Sequence, residues 1–127
     1  MLLIAALPAP AGLGHHSLSG VYDSAREATL RGAVAEFRFV NPHPVLVISV
    51  ENESGARESW ELEMDNRFEL ARIGVTAETF ELGDSVYVRG SLGLRRPRTI
   101  YLRRLDRPAD GFWYEQRGSR PYVGVSP

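Results

Sequence analysis

Three histidines are the residues best able to bind something: His15 and His16, adjacent near the start of the chain, and His43, in an Asn41-Pro42-His43-Pro44 stretch. Imidazole is the commonest transition-metal ligand, and three rings supply most of a Cu(II) or Zn(II) site. Neighbouring residues on an extended chain point opposite ways, so at most one of His15 and His16 is expected to ligate with its side chain. A cut after Gly14 would make His15 the new N-terminus, offering an amine and an imidazole together, a favourable chelate for copper. A cut after Ala11 would leave Gly12-Leu13-Gly14 ahead of it. The competing reading makes His15 and His16 solvated and has His43 capping a turn by hydrogen bonding. Three scattered histidines lack the spacing that by itself marks a metal site, so both readings stand.

Other polar clusters have plainer explanations. Glu61, Glu63 and Asp65 alternate with Trp60, Leu62 and Met64 and are expected on the solvent face of a strand. Arg95, Arg96, Arg98, Arg103 and Arg104 surround Tyr101. Arginine interleaved with aromatics suits a polyanion groove, but a solvated loop facing the acidic strand is the simpler expectation. Phe112, Trp113, Tyr114 and Tyr122 are expected to cover one end of the fold or to dock a partner. No Gly-rich phosphate loop, nucleophile elbow or Ser/His/Asp spacing is present. The chain is therefore expected to bind rather than catalyse.

Composition narrows the classes. The 127 residues suffice for one domain, and they contain no cysteine, which excludes thiolate chemistry and disulfides. Fifteen basic against sixteen acidic residues leave a formal net charge of −1, unlike a dedicated nucleic-acid binder. The apolar run Met1–Leu7, followed by a small-residue stretch, reads as a secretory signal over residues 1–14 and predicts a periplasmic or secreted protein with no integral membrane segment once mature.

The elements that would position these residues follow from hydrophobic periodicity. Residues 15–27 are expected as an extended arm and residues 28–107 as the folded domain. Period-two alternation marks strands at residues 29–40 and 58–64, an apolar run marks one at 45–50, and further strands are expected at 85–90 and 99–105. Ala35, Phe37 and Phe39 are expected to face inward on the first, and Gly32 suggests a bulge there. Asp65 or Asn66 can cap a short helix carrying Phe68, Leu70, Ala71 and Ile73, with Gly74 ending it. The order β-β-β-α-β-β predicts an all-β fold with one short helix, a small five-stranded OB-like β-barrel. Residues 108–127 are expected as an irregular tail.

The pieces together resemble a family of small exported bacterial proteins of unknown function. The resemblance rests on His15-His16-Ser17, Tyr22-Asp23, Leu30-Arg31-Gly32-Ala33-Val34, Asn41-Pro42-His43, Trp60-Glu61-Leu62 and Leu82-Gly83-Asp84-Ser85-Val86-Tyr87-Val88-Arg89-Gly90. It implies export and an OB-like barrel, and it brings no established activity. The expectation is thus an exported binding or accessory module, with a divalent metal, copper first, at His15, His16 and His43. The alternative is a protein- or glycan-interaction module using the barrel face and the aromatic tail.

Overall fold

Alternating apolar and polar residues become seven strands and one short helix in the computed structural model of the protein, which describes residues 18 and 20–127. The strands are β1 (Tyr22–Arg38), β2 (Val45–Glu51), β3 (Arg57–Glu63), β4 (Ser85–Gly93), β5 (Thr99–Arg107), β6 (Phe112–Arg117) and β7 (Arg120–Val125). The helix α1 (Arg67–Arg72) lies between β3 and β4. Among the described residues 22–127 the architecture is all-β with one short helix, as expected.

The strands form one sheet in the order β3-β2-β1-β4-β5-β6-β7, and β3 pairs with β5 as well. That last ladder is parallel, with Glu61, Leu62 and Glu63 opposite Thr99, Ile100 and Tyr101. All other pairings are antiparallel. The first five strands therefore pair in a circuit, β1-β2-β3-β5-β4 and back to β1.

β1 makes the circuit possible because it serves two partners. Its first part pairs with β4 and its second with β2, and Ala33 lies opposite both Ser49 and Ser85. At the changeover, a side chain on Gly32 would sit 2.7 Å from the Ser49 carbonyl oxygen, so only glycine fits. The bulge itself lies between Val34 and Glu36. The extra residue turns Ala35 outward, where alternation had placed it inside, and buries Val34 in its place. Phe37 still packs against the core.

Inside the sheet, Leu46, Ile48, Leu62, Met64, Val86 and Ile100 are wholly buried. Each such aliphatic side chain contributes about 1.5–3 kcal/mol by leaving water. Trp60 packs only partly against this core. The helix is shorter in reach than its pattern suggests. Asn66 caps it by accepting from the Glu69 amide at 2.9 Å, and Leu70 is its buried residue. Phe68 is 69% exposed, because a residue two positions from Leu70 points to the opposite side of a 3.6-residue turn.

Two other expectations need correction. Tyr22 to Glu27, read as arm, already belong to β1. The expected irregular tail contains the β6–β7 hairpin, which extends the sheet beyond β5. Its glycines and proline mask a regular pattern: Gly111 and Gly118 take positive φ in the turns, and Pro121 sits on the edge strand, where a missing N–H costs no ladder bond.

Candidate functional site

A cleft of about 490 Å³ opens where the start of β1, the end of β4 and the middle of β5 meet. Leu18, Tyr22, Asp23, Ser91, Tyr101 and Arg103 are among its lining residues. The β1–β4 ladder sets Tyr22 opposite Gly93, and the Leu94 amide donates to the Val21 carbonyl at 2.8 Å, closing that end. Tyr22 and Tyr101 lie ring against ring, with centroids 5.7 Å apart. The Arg103 guanidinium stacks 4.7 Å above the Tyr101 ring, and its Nε donates weakly to Ser91 Oγ at 3.4 Å.

The parallel β3–β5 ladder brings an acid to this cleft. Glu63 lies opposite Tyr101, and the Tyr22 hydroxyl donates to Glu63 Oε2 at 2.5 Å. Burial first, then the hydrogen bond to Glu63, pushes the Tyr22 phenol well above the usual tyrosine range. Burial and the nearby Asp65 charge do the same for Tyr101. Both rings therefore present neutral hydroxyls, donors rather than bases.

His43 approaches Glu63 from another side. Its corner is pinned where Met64 N–H donates to the Pro44 carbonyl and Arg67 N–H to the Pro42 carbonyl, each at 3.0 Å. The Met64 carbonyl oxygen lies 2.8 Å from His43 Nδ1. A carbonyl can only accept, so Nδ1 carries the hydrogen, which in the neutral ring leaves the lone pair on Nε2. Glu63 Oε1 is 3.9 Å from the same Nδ1. Glu63 thus stands between Tyr22 and His43.

His15 and His16 lie outside the described residues. Of the three histidines, the structure places His43 alone. Among the described residues no group of three or more histidines and carboxylates is set to hold a metal ion. Leu18, two residues beyond His16, reaches the cleft.

The acidic residues divide. Glu61 pairs outward with Arg96 at 2.6 Å, as expected of a solvated face. Asp65, expected beside it, is 8% exposed. Gln116 Nε2 donates to Asp65 Oδ2 at 2.7 Å, and the Tyr114 hydroxyl donates to Gln116 Oε1 at 2.7 Å. The hairpin's polar side chains thus seal the end of β3. Its aromatics are largely used internally: Phe112 packs edge-on to Phe80, and Tyr114 is wholly buried. Sequence reasoning missed the Tyr22–Tyr101–Arg103 cleft, since no short motif joins residues so far apart. The one visible signal was Tyr101 amid arginines.

Comparison with known proteins adds one relationship. Neither curated proteins nor solved structures provide a match to this chain. The sequence profile of a family of unknown function (DUF6152) matches residues 2–96, up to the β4–β5 connection and short of the β6–β7 hairpin. Since that match spans most of the chain, the protein belongs to the family of unknown function DUF6152.

Proposed function

We propose that this protein is an exported binding or accessory module, periplasmic or secreted, built on a five-stranded OB-like barrel and not an enzyme. It holds a divalent metal, copper first, between His43 and the histidines at positions 15 and 16. The circuit of pairings through β1 to β5 supports the barrel reading. The apolar start and its small-residue exit support export.

One observation carries the metal reading: an unbroken series of neighbours runs from Leu18 to His43. Leu18 and Tyr22 line one cleft, Tyr22 bonds Glu63, and Glu63 lies 3.9 Å from the His43 ring. His16 is two residues from Leu18, so about 7 Å of chain separates them at most. An imidazole whose Nδ1–H is held by a backbone carbonyl is oriented as metal-binding imidazoles usually are, with Nε2 free to ligate. Glu63 adds negative charge beside the ring, which favours a bound cation.

The interaction-module reading keeps the cleft but loses much of its aromatic tail, because Phe112 and Tyr114 are packed inside. Calorimetric titration of the exported, cleaved protein with Cu(II) tests the metal reading. It predicts binding tighter than by a peptide carrying the same first residues; equal affinity counts against a folded site.

A further inference from the structure

Arg103 is set differently from the arginines that the fold uses in ion pairs. Arg38, Arg89, Arg96, Arg104, Arg107 and Arg117 each pair with a carboxylate. Arg103 pairs with none among the described residues, and the remaining residues, 1–17 and 19, contain no Asp or Glu. It is nonetheless half-buried, held over the Tyr101 ring on the wall of the cleft. Stacking fixes the plane of the guanidinium and leaves its edge to bond a planar anion.

Tyr101 lines the same wall beside Arg103. The residue is only 3% exposed yet lines the cleft, and its hydroxyl has no hydrogen-bond partner among the described residues. Beyond the weak Arg103–Ser91 contact, these two donors on one wall, one charged and one neutral, have no side-chain acceptor among the described residues. Leu18 and Leu94 give the same cleft apolar surface.

We propose that the cleft is a carboxylate-binding subsite: Arg103 takes the carboxylate, the Tyr101 hydroxyl donates a second hydrogen bond to it, and the apolar part of a small organic acid lies along Leu18 and Leu94. The volume of about 490 Å³ is within the usual range for small-molecule sites. Asp23 on the cleft wall and Glu63 beside Tyr22 favour a monoanion over a doubly charged phosphate. This inference does not rest on the metal reading, because neither Arg103 nor Tyr101 is a proposed ligand of the metal.

Metal-free exported protein titrated with hexanoate and followed by amide NMR tests it, with hexanamide and inorganic phosphate as comparison probes. Hexanoate is expected to shift the Ser91 and Tyr101 resonances saturably. Hexanamide should bind at least about tenfold more weakly, as should hexanoate to Arg103→Gln, in line with loss of a charge-assisted bond. Tyr101→Phe keeps the ring on which Arg103 stacks, so it remains readable even where Arg103→Gln fails to fold, and it should weaken hexanoate about threefold or more. No saturable shift, equal binding of hexanamide, tighter binding of phosphate, or unchanged affinity in Tyr101→Phe would overturn the proposal.

Discussion

Tyr22, at the first position of β1, donates its hydroxyl hydrogen to Glu63, the last residue of β3. The two strands are not neighbours in the sheet order; β2 separates them on one side, and β4 and β5 on the other. The contact follows from the β3–β5 pairing, which closes the circuit and brings the end of β3 round to the start of β1. It also links the cleft to the His43 corner.

Removing that contact should loosen the link without emptying the core. Tyr22→Phe is expected to lower unfolding free energy by about 1.5–3 kcal/mol, the range for a hydrogen bond to a charged group. Urea denaturation at neutral pH measures it. A change within error would show that Tyr22 and Glu63 do not support each other.

Alkaline pH should act on the same region. The phenols of Tyr22, Tyr101 and Tyr114 are all raised above their ordinary value of 10.0, chiefly by burial. A group whose folded pKa is raised stabilises fully below its unfolded pKa, and that stability is lost as pH climbs through the folded value. Stability should thus be insensitive to these three tyrosines up to about pH 9 and fall from about pH 10 upward. Absorbance at 295 nm followed alongside circular dichroism should show their ionisation accompanying unfolding. Ionisation of all the tyrosines in a still-folded protein would contradict their burial.

The hairpin beyond the family match should be structural. Gln116→Ala strips the partner from the Tyr114 hydroxyl and removes a donor from the buried Asp65 carboxylate. Leaving such groups unsatisfied costs about 1–3 kcal/mol or more. Thermal unfolding of the variant should show a clearly lowered Tm, and an unchanged Tm would mean the hairpin does not seal the end of β3.

Much of this fold is legible in the chain. Leu46 and Ile48, like Val86 and Val88, alternate cleanly with more exposed residues or lie in a short apolar run, so β2 and β4 follow from pattern alone. Gly74 and Gly83 mark the ends of the elements between them. What escaped has local physical causes. The bulge beside Ala35 reverses inside and outside, and no composition signal announces it. β6 and β7 hide behind glycines and Pro121, whose turn and edge roles resemble loop. Asp65 reads as solvent-facing because alternation is assumed to continue, but β3 ends at Glu63 and the chain turns Asp65 toward Gln116. The cleft joins Tyr22 to Tyr101 through strand pairings, a relationship with no footprint in local sequence. His43 was visible as a rigid corner residue; its bond to the Met64 carbonyl was not.

Export should be visible as mass. Intact mass spectrometry of the protein recovered outside the cytoplasm of its own host is expected to show a species lacking at least residues 1–11. Full-length protein retained in the cytoplasm would contradict the export reading.

In the proposed site, His43 and a histidine from the start of the chain share one copper ion. Electron paramagnetic resonance of the exported, cleaved protein with one equivalent of Cu(II) tests it most directly, because nitrogen hyperfine coupling reports how many nitrogens ligate. His43→Ala and His15→Ala are each expected to remove nitrogen coupling and abolish tight binding, while His16→Ala does so less. A spectrum identical in the wild type and His43→Ala, matching that of a free peptide with the same first residues, would contradict the claim.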